Sequence, residues 1–283
     1  MKTWFVTGSA KGLGRAIVEA ALAAGDQVAA TARNAGRLDD LAARYGERFR
    51  AIDLDVTDEA AVDRAVAATV ATFGGIDVCV NNAGYATLMP FEHTVDFRAQ
   101  IETNLFGVVN VTRAVIPVMR GQGHGYIVQV SSIGGRLATG GLSAYQAAKW
   151  AVGGFSQVVA QEVAPFGIRM TVLEPGGMDT DWGKTARRND ATDDPAYADT
   201  VGRVFGMLAQ HDGKAGSDPA RVADIIVRLA DHPTPPMKLI MGSDARHYYD
   251  LAADMRRAED DAWLAVTRSS DFKAEGPIPA FPS

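Results

Sequence analysis

The chain has 283 residues, 47% of them hydrophobic, and this length and composition suit one large α/β domain. A formal net charge of −6 without a long basic run argues against a nucleic-acid partner. No apolar stretch reaches the roughly 20 residues of a membrane span, and no signal-peptide pattern opens the chain, so we expect no membrane partner. The one cysteine, Cys79, favours a reducing, cytoplasmic location. The scattered histidines lack metal-ligand spacing, so no metal is expected.

Short runs rich in valine and isoleucine alternate with longer helical patterns along most of the chain. The predicted strands are 3–7, 27–32, 50–53, 77–81, 126–130, 169–173 and 237–241. The predicted helices are 13–24, 36–45, 58–73, 96–120, 143–164 and 219–231, followed by a charged helical segment at 246–267. Repeated βα units predict one doubly wound α/β domain of about seven parallel strands with helices on both faces.

The longest gap lies between the sixth and seventh predicted strands. Residues 176–218 are polar and rich in aspartate, arginine, glycine and threonine. Such an insertion is either a lid over a binding site or a solvated surface excursion. We assign residues 1–267 to the single domain. Residues 268–283 contain three prolines and are expected to form an irregular tail.

A glycine-rich turn follows the first predicted strand and opens the first predicted helix. Its residues are Gly8, Ser9, Ala10, Lys11, Gly12, Leu13 and Gly14, with the spacing Gly-x-x-x-Gly-x-Gly. Glycine permits conformations and close approaches that a side chain blocks, and a helix N-terminus offers free N–H groups to a pyrophosphate. A tight turn without a ligand is the alternative, but three glycines at this junction favour a dinucleotide site.

The end of the second predicted strand indicates which dinucleotide binds. NAD-binding folds place an acid there for the ribose 2′-hydroxyl, whereas an arginine accommodates a 2′-phosphate. Arg33 follows strand 27–32, no acid stands at its tip, and Lys11 lies in the glycine turn. A guanidinium can hold a phosphate through two parallel hydrogen bonds, and an ammonium adds a point charge. We therefore expect NADP rather than NAD, with two ordinary surface cations as the alternative.

Tyr145 and Lys149 lie four residues apart in the predicted helix 143–164, so their side chains share one helix face. An ammonium near a phenol favours the phenolate, and we therefore expect a Tyr145 pKa below the usual value of about 10. Such a phenol can exchange a proton with an alcohol oxygen near neutral pH. Ser131 and Ser132 follow the fifth predicted strand just upstream.

In this order, the motifs resemble those of the short-chain dehydrogenase/reductase family, in its form with a single compact domain. The resemblance runs from Thr7 to about Ala245. It is carried by Thr7-Gly8-x-x-x-Gly12-x-Gly14, Asp55-Val56, Asn81-Asn82-Ala83-Gly84, Asn104, Ser132, Tyr145-x-x-x-Lys149 and Pro175-Gly176. Each motif is weak alone, but the ordered set is specific. It implies a Rossmann-type domain that transfers hydride between a nicotinamide cofactor and a carbonyl or alcohol.

The resemblance implies four catalytic residues. Tyr145 would act as general acid/base, and Lys149 would lower its pKa and bind the nicotinamide ribose. Ser132 would polarise the substrate oxygen, because its offset from Tyr145 matches the family pattern better than that of Ser131. Asn104 would hold a chain of waters that leads to Lys149.

The resemblance also implies the other cofactor contacts. The turn residues Gly8, Ser9, Lys11, Gly12, Leu13 and Gly14 would hold the pyrophosphate. Arg33 would meet the 2′-phosphate, Asp55 and Val56 the adenine, and Asn81, Ala83 and Gly84 the adenine ribose. Pro175, Gly176, Met178 and Thr180 would lie near the nicotinamide, together with Tyr145 and Lys149.

The substrate side is less defined by the sequence. The candidate pocket residues are Ile133, Leu142 and Trp182, and their apolar character predicts a carbonyl or secondary alcohol on an apolar or aromatic carrier. A charged substrate would need a basic cluster, for which Arg136, Arg187 and Arg188 are the candidates.

Assembly and two other functions also follow from the resemblance. Relatives commonly pair two helices per subunit, here 96–120 and 143–164, so we expect a homodimer or homotetramer. A non-catalytic NADP-binding sensor remains an alternative function. An epimerase or dehydratase that uses the same tyrosine–lysine pair is another.

Overall fold

The structure is a computed structural model that describes residues 1–178, 186, 194–210, 216–272 and 276–282. Its centre is one parallel sheet of seven strands in the order β3-β2-β1-β4-β5-β6-β7. The strands are β1 Thr3–Val6, β2 Gln27–Ala32, β3 Phe49–Asp53, β4 Val78–Asn81, β5 Gly125–Val130, β6 Ile168–Pro175 and β7 Lys238–Met241. The predicted doubly wound fold with seven parallel strands is confirmed.

Ten α-helices are found within the described residues, most of them between consecutive strands. They are α1 Gly12–Ala23, α2 Asp39–Tyr45, α3 Glu59–Phe73, α4 Phe97–Ile101, α5 Gly107–Gln122, α6 Ser143–Val163, α7 Arg203–Gln210, α8 Pro219–Ala230, α9 Ser243–Ala262 and α10 Leu264–Ser269. Side chains of Asp58 and Asp218 accept hydrogen bonds from the first turns of α3 and α8, and thereby fix where these helices begin. None of the helices in the described ranges could cross a bilayer.

Alternation along the strands divides the core into two layers, one on each face of the sheet. In β1, Trp4 and Val6 pack with α1 and α8, whereas Phe5 packs on the opposite face with α3 and α5. Cys79 of β4 is fully buried in the second layer, and this burial raises the pKa of its thiol. Cys79 is therefore a packing residue rather than a reactive nucleophile.

The strand order reverses at β1, whose neighbours are β2 and β4. The chain segments that leave the carboxyl ends of β1 and β4 run to opposite faces and leave a crevice between them. Ligands of doubly wound folds bind in this crevice. The glycine turn follows β1, and the Asn-Asn-Ala-Gly segment begins at the end of β4, so the fold brings the two motifs together.

The predicted helix 96–120 is wrong in one respect, because a wide π-helical turn over Glu102–Phe106 separates α4 from α5. The buried Asn104 explains the turn. Its Nδ2 donates to the carbonyl of Gln100 at 2.9 Å, so the side chain uses an acceptor that the regular helix would give to a backbone N–H.

The C-terminal prediction also needs correction. The helical segment expected at 246–267 is two helices, α9 and α10, and α10 extends to Ser269 inside the expected irregular tail. After α10, the described residues 270–272 and 276–282 contain no helix or strand. The ring of Phe281 lies 5.3 Å from that of Trp263, so the tail folds back onto the junction of α9 and α10.

Candidate active site

The glycine turn after β1 is held by close backbone packing. Gly8 and Gly12 have φ angles of 67° and 56°, which favour glycine. A Cβ on Gly8 would lie 2.8 Å from the Cα of Ala83, and a Cβ on Gly14 would lie 2.4 Å from the carbonyl oxygen of Gly8. The sequence places glycine where the chain segments touch.

The first turn of α1 suits a pyrophosphate. Lys11 precedes the helix in an extended conformation, no side chain caps the N-terminus, and no acidic residue lies in the first turn. Its N–H groups and positive dipole end thus face the crevice, and its own first turn carries no carboxylate that would compete with an anion. The exposed Lys11 adds positive charge at the same place.

Two residues expected at the pyrophosphate serve the turn itself. Ser9 is fully buried, and its Oγ donates to the carbonyl of Val6 at 2.8 Å. Leu13 is buried in the core layer beside α8. Their side chains shape the glycine turn from within, which leaves their backbone for any cofactor contact.

The residues after β4 attach this strand to the glycine turn. Thr7 Oγ1 accepts hydrogen bonds from the N–H groups of Asn82 and Ala83 at 2.9 and 3.0 Å. Asn82 Nδ2 donates to the carbonyls of Thr7 and Gly8. The sequence predicts no separate role for Asn82, although two asparagines stand side by side at this position. In the structure, the Asn82 side chain links the end of β4 to the glycine turn at the base of the crevice.

The side chain of Asn81 lies within the fold rather than at the crevice. It is 2% exposed, and its Nδ2 donates to Thr112 Oγ1 and Gln129 Oε1 at 3.1 and 2.8 Å. The side chain therefore belongs to a buried network between β4, β5 and α5. Only the backbone of Asn81 is left to meet a ribose, since the amide is engaged within the fold.

The end of the crevice where the adenine is expected carries an exposed cation. Arg33 follows β2 and is exposed. Burial raises the pKa of Tyr85, which lies after β4 in the chain, and the positive charge of Arg33 opposes this shift. Asp53, paired with Ala32 in the sheet register, accepts a hydrogen bond from the N–H of Ala35 at 2.7 Å. This neighbouring carboxylate therefore stabilises the turn after Arg33.

The two residues expected at the adenine differ in exposure. Asp55 is exposed, and its Oδ1 accepts hydrogen bonds from the N–H and Oγ1 of Thr57 at 3.0 and 2.8 Å. Val56 is buried in the core layer beside α5. A Cβ on Gly107 would lie 2.4 Å from Val56 Cγ2, so glycine at the start of α5 makes room for it.

Tyr145 and Lys149 lie one turn apart near the start of α6, and both are buried. The side chain of Tyr145 is hydrogen-bonded to that of Ser132, whose Oγ also accepts from the N–H of Gly134 at 3.0 Å. Ser131 Oγ instead donates to the carbonyl of Lys149 at 3.3 Å. The structure thus separates the two serines, because only Ser132 lies against the phenol.

The pKa of Tyr145 is shifted upward, whereas the sequence predicts a downward shift. Burial raises it to about 12, against a smaller lowering effect of the Ser132 hydrogen bond. Burial also lowers the pKa of Lys149 to about 8. Lys149 Nζ donates to the carbonyl of Val130 at 2.8 Å and lies 5.6 Å from the centre of the tyrosine ring. Desolvation of both groups therefore outweighs their mutual attraction.

Asn104 lies behind the same pair. Its Oδ1 accepts from the N–H of Tyr85 at 3.1 Å, and its Nδ2 donates to the Tyr85 carbonyl at 2.8 Å. A Cβ on Gly84 would lie 2.5 Å from Asn104 Oδ1 and 3.7 Å from Lys149 Nζ, so only glycine fits between them. The water chain expected at Asn104 stays a prediction.

The segment after β6 supplies the expected nicotinamide side. Pro175 ends the strand, and a Cβ on Gly176 would lie 2.5 Å from the carboxylate of Asp244 in α9. Met178 pairs with Ser217, so the two ends of the 176–218 insertion meet at this carboxylate. Thr180, also expected here, lies outside the described residues.

The described part of the insertion packs over the phenol. Leu142 and Tyr145 share a buried cluster with Leu88 and with Ala186 and Val201 of the insertion. Leu88 also donates its N–H to the carbonyl of Ala186 at 2.9 Å. The described residues of the insertion therefore pack against Leu142 and Tyr145, and its action as a lid stays a prediction.

The other substrate-side candidates have separate outcomes. Ile133 is half-buried at the start of the turn after Ser132. Arg136 forms an ion pair with the buried Glu174, at 2.9 and 2.7 Å, and is therefore neutralised rather than ready for an anionic substrate. Trp182, Arg187 and Arg188 lie outside the described residues.

Comparison with known proteins shows the family of this chain. The family model described as short chain dehydrogenase matches residues 2–191. The chain belongs to this family. It is an oxidoreductase of the short-chain dehydrogenase/reductase type, and relatives of this type bind nicotinamide cofactors and act on small molecules, typically as oligomers.

Two relatives match nearly the whole chain. Oxidoreductase BOA17 of Botryotinia fuckeliana is 48% identical over 272 residues, which cover 95% of this chain and 99% of that protein. The solved short-chain dehydrogenase from Streptomyces avermitilis is 43% identical, with a TM-score of 0.88 and coverage of 96% and 99%. A closed serine dehydrogenase complexed with NADP+ is 28% identical, with a TM-score of 0.74 and coverage of 84% and 94%.

Gly14→Ala should damage the glycine turn, because the added Cβ would meet the Gly8 carbonyl at 2.4 Å. We expect a loss of about 1–3 kcal/mol in the free energy of unfolding and weakened dinucleotide binding. Gly121→Ala in α5 is the control, since nothing lies within 4 Å of its Cβ. Thermal unfolding and fluorescence titration measure both effects, and a Gly14→Ala protein that matches the control would contradict the close packing.

Lys149→Met should change how stability depends on pH. The folded pKa of about 8 lies below the usual lysine value of 10.5. The unfolded state therefore binds more protons between these values, and wild-type stability rises as the pH increases through them. Below pH 8 the buried ammonium destabilises the fold, so the variant should gain about 1–3 kcal/mol at pH 7.

Urea unfolding from pH 7 to pH 10.5 tests this effect. The Lys149→Met variant should show a flatter rise in stability than the wild type, with Lys238→Met as the control for removing a lysine from the protein. Equal slopes for the wild type and the Lys149→Met variant would show that Lys149 is not desolvated.

Proposed function

We propose that this protein is an NADP-dependent dehydrogenase or reductase that interconverts a ketone or aldehyde and an alcohol. The observation that carries the proposal is the hydrogen-bonded pair of Ser132 and Tyr145, with Lys149 one turn away, beside a crevice that suits a dinucleotide. A bound nicotinamide cofactor would supply or accept the hydride. The chain's own residues would then orient the carbonyl and manage its proton.

In the proposed mechanism, Ser132 and Tyr145 act on the substrate oxygen. In the reductive direction, negative charge grows on this oxygen, and Ser132 Oγ donates a hydrogen bond where the charge develops. The Tyr145 hydroxyl transfers its proton to the same oxygen. A pKa raised to about 12 keeps the phenol protonated, and so ready as an acid, across neutral pH.

Lys149 would restore the proton of Tyr145. Its pKa of about 8 means that it gives up a proton more readily than an exposed lysine does. In the oxidative direction, a phenolate must form, and a protonated Lys149 within the same buried site would favour it. Asn104 would keep Lys149 accessible to water.

The choice of NADP rests on charge at the end of β2. Arg33 is exposed there, and in the described part of the chain no carboxylate forms a salt bridge with it. Asp53, the nearest acid in the sheet register, is engaged by the backbone of Ala35. Arg33 and Lys11 are therefore the groups proposed to hold the 2′-phosphate. The related serine dehydrogenase was solved with NADP+.

The proposed substrate is an apolar or aromatic carbonyl compound without a charged group near the reacting carbon. The support is the neutralised Arg136 and the apolar cluster of Leu88, Leu142 and Val201 beside Tyr145. Ile133 and the insertion 176–218 would complete the pocket, with the insertion acting as a lid.

We also propose a cytoplasmic homodimer or homotetramer. The lone cysteine is buried and reduced, which fits a reducing compartment. Phe106 beside α5, and Trp150 and Val158 on α6, are exposed apolar residues on the two helices expected to pair between subunits. Light scattering on the purified protein would test the assembly.

Tyr145→Phe should lower the turnover rate by about 10²–10⁴-fold, which is the usual contribution of general acid–base catalysis. Binding of NADPH should stay within a few-fold, because the ring remains. The measurement is NADPH consumption against a panel of ketones and aldehydes, with Tyr248→Phe on the exposed face of α9 as the control. Retained turnover would remove Tyr145 from the mechanism, and turnover without net NADPH consumption would indicate epimerisation or dehydration instead.

Arg33→Asp should reverse cofactor preference, because it replaces the proposed phosphate contact by a repelling carboxylate. We expect the ratio of kcat/KM for NADPH over NADH to fall by about 100-fold or more. Arg228→Asp, on the last turn of α8 at the other edge of the sheet, is the charge-matched control. An unchanged ratio in Arg33→Asp would mean that a different residue meets the 2′-phosphate.

A further inference from the structure

Two chain segments flank the catalytic hydroxyls, and they diverge just after the backbone hydrogen bond from the Ser131 N–H to the Leu173 carbonyl at 2.8 Å. One is the turn after β5, in which Ser132 is followed by Ile133, Gly134, Gly135 and Arg136. The other is the turn after β6 at Pro175 and Gly176, expected beside the nicotinamide. The proposed reaction requires a fixed distance between them, because the hydride donor and the group that polarises the carbonyl must meet the same substrate.

Beyond that hydrogen bond, an ion pair between Arg136 and Glu174 connects the segments through their side chains. Arg136 Nε lies 2.9 Å from Glu174 Oε1, and Arg136 Nη2 lies 2.7 Å from Glu174 Oε2. Glu174 immediately precedes Pro175 and is 1% exposed. The hydrogen bond from Nε and the ionic contact of Nη2 beside it fix direction as well as distance, so together they orient one turn relative to the other.

The backbone transmits this orientation to Ser132. The N–H of Gly135 donates to the Ser132 carbonyl at 2.9 Å, and the N–H of Arg136 donates to the Ile133 carbonyl at 2.8 Å. The turn also packs on α6, since a Cβ on Gly135 would lie 3.0 Å from the Lys149 carbonyl oxygen. A hydrogen-bonded turn that packs on α6 therefore links Ser132 to Arg136.

Helix α9 supports the ion pair from the outside. The Arg136 guanidinium lies 4.8 Å from the centre of the Tyr249 ring. The guanidinium of Arg256 lies 5.3 Å from the Trp150 ring of α6, and its Nη2 lies 3.5 Å from the Arg136 carbonyl oxygen. The aromatic platform and the second arginine restrict how Arg136 can leave Glu174.

We infer that Arg136 is a positioning residue, which holds the Ser132 turn against the nicotinamide-side turn through Glu174. The inference rests on the proposed function. Arg136 then has a structural role, which is to position the reacting groups, rather than an electrostatic contact with the substrate. It also gives α9 a part in catalysis, because this helix holds Arg136 in place.

The test removes the ion pair without leaving a buried charge. Arg136→Met combined with Glu174→Leu replaces both partners by apolar residues, a change that buried ion pairs tolerate. We expect an unchanged dissociation constant for NADPH and a Tm within about 3 °C of the wild type. We expect kcat to fall by about 10- to 100-fold, because the reacting groups lose their fixed distance.

The control removes an ion pair at the opposite edge of the sheet. Lys2 and Asp231 lie 2.7 Å apart there, so Lys2→Met with Asp231→Leu should keep the wild-type kcat. Arg136→Lys keeps the charge but loses the planar guanidinium that contacts both carboxylate oxygens, and it should show an intermediate kcat. It also serves if the double apolar variant fails to fold.

Hydrogen exchange supplies a measurement that does not depend on activity. The N–H groups of Gly135, Arg136 and Leu137 are hydrogen-bonded in the wild type, and they should exchange faster in both Arg136 variants. A kcat within twofold of the wild type overturns the inference, and so does a lower kcat without faster exchange. If the wild type turns over no carbonyl, the proposed function fails, while the exchange rates still decide whether Arg136 holds the turn.

Discussion

The site depends on one constraint, namely that Tyr145 and Lys149 are buried together at the start of α6. Burial disfavours the charged form of each group, so the phenol keeps its proton and the ammonium holds its proton weakly. Neither property belongs to the residues in water. The residues around the pair either maintain this burial, as Gly84 and Leu142 do, or give the two side chains hydrogen-bond partners, as Ser132 and Val130 do.

The two halves of the crevice are held by different means. On the cofactor side, the backbone packs so closely at Gly8 and Gly14 that a larger side chain does not fit there. The hydrogen bonds of Asn82 fix the position of the turn. On the substrate side, side chains from distant segments meet, as in the pair Arg136–Glu174 and the cluster that includes Leu142. A fold arranged in this way can keep one cofactor chemistry while late segments of the chain alter the pocket.

The strands and the positions of the motifs could be predicted, because buried parallel strands are short apolar runs and the carboxyl ends of such strands share one edge. Single side chains were less predictable. Whether Asn81 faces the crevice or the sheet depends on Thr112 and Gln129, which lie far along the chain. The predicted shift in the pKa of Tyr145 has the wrong direction, because the sequence shows the neighbouring charge but not the burial that outweighs it.

The break in the predicted helix 96–120 shows how a local misfit can serve a site. A regular helix through Asn104 would not place its amide against both the backbone of Tyr85 and the carbonyl of Gln100. The π-helical turn pays for these contacts with irregular backbone hydrogen bonds, and it thereby fixes the segment after β4 beside Lys149. Since Gly84 leaves just enough room between Asn104 and Lys149, the irregular turn, the glycine and the buried lysine form one mutually dependent unit. A sequence pattern read for helical period alone predicts the regular helix, because the constraint that breaks it comes from a different segment of the chain.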